Sequence, residues 1–140
     1  MARMVSAGLL AGLLTCAGGV QAAPADLVAG KASFQKCASC HAVGRSAQGG
    51  FAPQLNGIVG RRAGSTTDFA YSDALKNSRF IWTEQNLAGF LRAPSDFVPG
   101  NKMRFWGIGD QQQIVNLIGY MKTFTPAPVH PPPPPAGTPP

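Results

Sequence analysis

Apolar residues recur along this chain with the spacing of helices rather than strands. Ile114, Leu117, Ile118 and Met121 fall at i, i+3, i+4 and i+7, one stripe of a helix. Just before them, Asp110 and Gln113 resemble a capping box, in which each side chain satisfies the other residue's amide. Thr83 can cap another helix through Leu87, Phe90 and Leu91, which Pro94 stops. A first helix is expected from Asp26 to Lys36, with Phe34 on its buried side, and a short helical turn from Ser72 to Asn77. No stretch alternates convincingly at the period of a strand, so the expected fold class is all-α. Gly44 to Arg62 carries glycines at 44, 49, 50, 57 and 60 and reads as loop. Loops that long count against a small domain unless they wrap something other than each other.

The two ends differ from the middle. Met1 to Ala22 reads as a signal peptide: Arg3, then an apolar stretch from Val5 to Val20, then Val20-Gln21-Ala22 as a small-x-Ala cleavage site. Cleavage one residue later would put bulky Gln21 at the −3 position and Pro24 just after the cut, so the mature start is expected at Ala23. An uncleaved anchor is the rival reading, but the stretch is glycine-rich and short for a bilayer, so no stable membrane insertion is expected. Leu13-Leu14-Thr15-Cys16 weakly resembles a lipobox, with lipid on Cys16 as a minor alternative; threonine before the cysteine fits poorly. At the other end, Pro126 to Pro140 holds nine prolines. Proline fixes φ and lacks an amide donor, so this tail is expected to be extended and outside any core. The expected organisation is therefore 1–22 signal peptide, 23–125 a single domain, and 126–140 a proline-rich disordered tail, with a spacer or docking role as its alternative.

Composition narrows the chemistry. Twelve Lys and Arg against six Asp and Glu leave a formal charge of +6, and +5 once Arg3 leaves with the signal. That excess suits acidic partners or plain solubility; no nucleic-acid partner is expected. Of three cysteines, Cys16 lies in the signal, so only Cys37 and Cys40 remain. A four-cysteine zinc site and a multi-bridge disulfide framework are both excluded.

Cys37-Ala38-Ser39-Cys40-His41 is a C-x-x-C-H motif, the pattern of c-type haem attachment. Each thiol can form a thioether with one porphyrin vinyl group, and the adjacent histidine can reach the iron. The rival reading, a thioredoxin-like redox pair, wants a βαβ pattern that is absent here. His41 is then one axial ligand. A second must come from elsewhere. His130 is the other histidine, but it sits in the proline tail; Met1 and Met4 leave with the signal; Met121 lies on a packed helical stripe. Met103, within Val98-Pro99-Gly100-Asn101-Lys102-Met103, remains, on a rigid Pro-Gly loop that can aim a side chain. With His41 and Met103 both on iron, no coordination site is open. Such ligation suits electron transfer rather than catalysis. The rival class is a small haem peroxidase, which needs a vacant sixth site; a third reading is an interaction module held to a larger complex by its tail.

The residues from Gly30 to Thr123 resemble the class I cytochromes c, of the bacterial cytochrome c2 and mitochondrial type. The likeness rests on the C-x-x-C-H motif after Lys36, on Pro53-Gln54-Leu55-Asn56-Gly57, Gly60-Arg61, Tyr71-Ser72-Asp73-Ala74, Trp82, and on the loop ending in Met103. The resemblance implies a cytochrome c fold, with helices and long loops wrapped around one covalently bound haem. It implies that Pro53 offers its carbonyl to the His41 ring, that Tyr71 and Trp82 hydrogen-bond the haem propionates, and that Arg61 helps neutralise them. Gly30, Phe34 and Tyr120 are implied where the first and last helices cross. Relatives often carry a tyrosine, its hydroxyl near the methionine sulfur, where this chain has Phe90, and glycine where it has Ala52. The implied task is that of a monomeric, periplasmic one-electron carrier. Its expected partners are redox proteins with acidic docking faces: a bc1 complex or dehydrogenase as donor, an oxidase or reaction centre as acceptor. Lys36, Arg45, Lys102 and Arg104 are expected to gather near an exposed haem edge. Trp106 is expected to pack back onto its loop, with an interface role as the alternative.

Overall fold

The computed structural model describes residues 22–125. Of the segment 1–22 read as a signal peptide only Ala22 is described; Cys16, His130 and the proline-rich segment 126–140 lie outside the described residues. Five helices follow in order: α1 Leu27–Phe34, α2 Asp73–Asn77, α3 Glu84–Arg92, α4 Pro94–Phe97 and α5 Gln111–Lys122. Among the described residues there is no strand, and one isolated antiparallel bridge joins Arg62 to Ile81.

Each helix start has a local cause. Asp26 stands outside α1 in extended conformation, and its carboxylate accepts the amides of Val28 and Ala29. Ser72 caps α2, Thr83 caps α3 and Asp110 caps α5 in the same way. The capping box at α5 is only half formed. Asp110 accepts the Gln113 amide, but the Gln113 side chain crosses to α1 and donates to Ser33 Oγ at 3.3 Å. A tertiary partner outcompetes the local one. Pro94 also does more than stop α3. It opens α4 as its first residue, where a missing amide donor is no loss.

The apolar stripe of α5 is the centre of the core. Ile114 and Leu117 are completely buried, with Ile118 and Met121 nearly so. α1 crosses α5 at Gly30, which is buried, and Phe34 meets Tyr120 with ring centroids 5.6 Å apart. The chain just before α1 is tied down too: the Asp26 amide donates to the buried Asn116 Oδ1 at 2.9 Å. An aromatic group of Phe80, Trp82, Phe90 and Phe97 continues the core beyond α3 and α4. Residues 42–71 form irregular loops around it, pinned by backbone bonds such as Gly60 N to Trp82 O and Ala63 N to Phe80 O. No described helix is long and apolar enough to cross a membrane.

Candidate functional site

The end of α1 leads straight into the Cys37–His41 segment. The amides of Cys37 and Ala38 both donate to Phe34 O, at 2.8 and 3.0 Å, so the chain keeps turning beyond the helix. Cys40 and His41 then donate to Cys37 O at 3.0 and 2.8 Å. Positions three and four apart are neighbours on such a turn, so Cys37, Cys40 and His41 share one side of it. Cys37 packs half-buried against the core, while Cys40 is exposed, and no disulfide joins them. Burial, reinforced by Cys40 and opposed by Lys36, pushes the Cys37 thiol up from its usual value. Before haem attachment the thiol is therefore protonated at neutral pH, the form slower to oxidise.

His41 is held by one bond. Its Nδ1 lies 2.7 Å from Pro53 O. A carbonyl can only accept, so Nδ1 carries the hydrogen and Nε2 keeps its lone pair free. Burial lowers the proton affinity of the ring; the bond to Pro53 opposes this and the nearby Arg61 cation adds to it. The imidazole is thus neutral near pH 7, as a metal ligand must be.

The loop that carries Pro53 is itself clamped. Asn56 accepts from the Gly44 amide at 2.8 Å and donates to Gly44 O at 2.7 Å. The Arg61 guanidinium donates to Gln54 O at 2.9 Å and Asn56 O at 3.3 Å. Burial eases Arg61 down from its usual range, with Tyr71 and Asp68 opposing; it stays a cation. Beside it, a cleft of about 420 Å³ is lined by Gln54, Asn56, Gly57, Val59, Gly60, Arg61 and Thr66.

Tyr71 and Trp82 are both buried. The Tyr71 hydroxyl sits 2.8 Å from Thr66 Oγ1. Trp82 packs edge-on against Phe80 and Phe90, with centroids 4.7 and 5.1 Å apart. Its indole N–H has no acceptor among the described residues, and none of their buried side-chain polar atoms is left unpaired. That donor therefore faces space that a polar group can enter.

Met103 is positioned by Asn101, a residue that sequence reasoning quoted without a role. Asn101 Nδ2 donates to Pro94 O and Val98 O, both at 2.9 Å, and its Oδ1 accepts the Met103 amide at 2.8 Å. The last bond is an Asx turn, which an asparagine after Pro-Gly could have signalled. One amide group thus ties α4, the Pro-Gly turn and the methionine together. Asn101→Ala is expected to cost about 1–3 kcal/mol and to speed hydrogen exchange at the Met103 amide. Exchange at the wild-type rate would remove this role.

The structure therefore brings Cys37 and Met103 against the same core as Trp82 and Phe90, and joins His41 to Pro53. Arg61 secures the loop bearing Pro53, and Tyr71 pairs with Thr66. Two thiols on one turn, an imidazole with a free Nε2, a thioether on a clamped loop, and a cation and an indole N–H for carboxylates fit a covalently held haem. The cleft beside Arg61 is not lined by Cys37, His41 or Met103, so the donor groups, rather than this cleft, locate the cofactor.

Comparison with known proteins agrees. The family model for cytochrome c matches residues 27–125. Over 99 residues the chain is 44% identical to cytochrome c2 of Agrobacterium tumefaciens (strain II Chrys), covering 69% of this chain and 89% of that one. Over 117 residues it is 42% identical to cytochrome c2 of Blastochloris viridis, covering 83% and 92%. The solved structure of cytochrome cH from Methylobacterium extorquens superposes with a TM-score of 0.66 at 39% identity, covering 70% of this chain and 98% of that one. The chain belongs to the cytochrome c family: it is an electron carrier, not an enzyme, and its cofactor is one covalently bound haem c.

Proposed function

We propose that the chain is a soluble periplasmic electron shuttle whose haem iron would be ligated by His41 and Met103. Residues 1–22 direct export and are removed, 23–125 form the haem domain, and 126–140 are a disordered extension. The observation that carries the reading is the His41–Pro53 bond, which fixes the tautomer and leaves Nε2 for the metal. When bound, the haem supplies a one-electron ferric–ferrous couple. The chain does the rest. Cys37 and Cys40 would hold the ring covalently, His41 and Met103 would ligate the iron, Tyr71 and Trp82 would hydrogen-bond the propionates, and Arg61 would help neutralise them. A closed site keeps one geometry in both oxidation states, which suits transfer of an electron and leaves no place for a substrate.

Phe90 is buried against Trp82 and has no hydroxyl to offer the Met103 sulfur. Phe90→Tyr is expected to shift the potentiometric midpoint measurably, since hydrogen bonds around the ligands tune haem iron. Equal midpoints in the two proteins would remove that role for position 90.

The donor is a bc1 complex or dehydrogenase, and the acceptor an oxidase or reaction centre. Lys36, Arg45, Lys102 and Arg104 are all exposed and steer acidic docking faces. Association with a purified cytochrome c oxidase should slow as ionic strength rises, because screening shortens electrostatic reach to about 8 Å at physiological salt. A rate independent of salt would count against steering.

A further inference from the structure

Trp106 does not pack back onto its loop. It is 100% exposed, more than any other large apolar side chain described; the next, Phe51, is 87% exposed. The reason lies in the run from Lys102 to Ile108. Side chains there alternate: Lys102, Arg104 and Trp106 face outward, while Met103 and Phe105 pack against the core and Ile108 is buried. Both ends of the run are fastened. Asn101 holds the Met103 amide, and the Ile108 amide donates to Leu91 O at 2.9 Å. Gly107 has φ +102° and lies so close to α3 that a Cβ there would sit 2.0 Å from Arg92 O. Turning Trp106 inward would unseat Phe105 or Gly107. The indole is held in water by the backbone around it.

Its neighbours on the outward face are cations. The ion pairs among the described residues are Lys76–Asp73 and Lys122–Glu84, so neither Lys102 nor Arg104 meets a carboxylate. Lys102 rests on a backbone carbonyl, Ala70 O, at 3.2 Å. The surface is thus one aromatic side chain, on a backbone fastened at both ends, beside two uncompensated positive charges, three residues from Met103. Its complement is an apolar slot rimmed by carboxylates. A lone indole on an extended segment lacks the broad apolar face of a lipid-binding element, which favours a protein. Rigid, fully desolvated tryptophans are the side chains most often found to dominate protein interfaces.

We propose that Trp106 is the apolar anchor of the docking face, seated in a carboxylate-rimmed slot of the redox partner. This rests on the electron-shuttle reading above and names the residue that holds the complex, beyond the charges that steer it.

The test uses the full-length haem-loaded protein and its Trp106→Ala and Trp106→Phe variants, with oxidation by washed respiratory membranes of the source cells as the readout. Ferricyanide, which needs no docking slot, is the control oxidant. Trp106→Ala should raise the apparent KM about thirtyfold, the effect of losing an interface hot spot, with Trp106→Phe in between. The midpoint potential, visible spectrum and ferricyanide rate should not change. Wild-type kinetics in Trp106→Ala would overturn the anchor and leave the shuttle intact. An equal loss with ferricyanide would move Trp106 from docking to the haem site and overturn it as well. Wild-type binding to protein-free anionic vesicles that is lost in Trp106→Ala would assign the indole to lipid instead. Failure of the wild-type protein to be oxidised by the membranes, both in the dark and under illumination, would overturn the shuttle reading, and the anchor with it.

Discussion

Replacing Met103 with alanine should abolish the far-red sulfur-to-iron band of the oxidised protein and lower its reduction potential by on the order of 0.1–0.3 V. Axial ligands set haem potentials over about 0.8 V, and methionine opposite histidine lies at the high end. The fold should survive. Asn101 grips the Met103 backbone, not its side chain, and the Ile108 amide anchors the far end of the segment. The loop therefore stays in place while the sulfur is removed, and water or another small ligand can reach the vacated axial position. Two controls sharpen the result. Met121→Leu should leave the band and potential unchanged, because Met121 is buried on the stripe of α5. His130→Ala, in the proline tail, should do the same. A retained band in Met103→Ala would mean that the sulfur ligand is elsewhere.

Gly30→Ala should destabilise the haem-loaded protein by about 3 kcal/mol, at the upper end of overpacking effects, and lower its Tm by about 10–20 °C. A methyl group on Gly30 would lie 2.1 Å from Asn116 O and 2.8 Å from Tyr120 Cβ. One of those atoms is backbone in the middle of α5, so it cannot rotate away as a side chain could. The two helices must separate. Because α1 runs directly into Cys37, the same change should disturb haem attachment, read as a lower yield of loaded protein. Gly109→Ala is the matched control, since a Cβ there meets nothing within 4 Å. It should unfold at nearly the wild-type temperature. Equal stability of the two variants would contradict the close crossing.

These effects also show which features were legible from sequence. The α5 stripe and the caps Asp26, Ser72, Thr83 and Asp110 could be read because each depends on neighbours within one or two turns. The haem motif was legible because the two cysteines and the histidine proposed as an iron ligand fall within five consecutive residues, Cys37 to His41. Elsewhere the deciding partners are distant in sequence. Gln113 leaves the capping box because Ser33 of α1 reaches it. Trp106 faces water because Leu91 and Arg92, from α3, hold the residues after it. Helix α4 is four residues long, too short for any period to show, and needs Pro94 read as a start as well as a stop. The Asn101 clamp lay between these cases: its turn to Met103 is local, but its bond to Pro94 depends on how α4 folds back.

The proposed haem site is closed, with His41 and Met103 as the two residues that would ligate the iron. The measurement that bears on it most directly is the far-red absorption of the oxidised, full-length, haem-loaded protein at neutral pH. A sulfur-to-iron charge-transfer band is expected there. A fully loaded protein without that band would have an open or differently filled sixth position, and the reading as a closed electron shuttle would be contradicted.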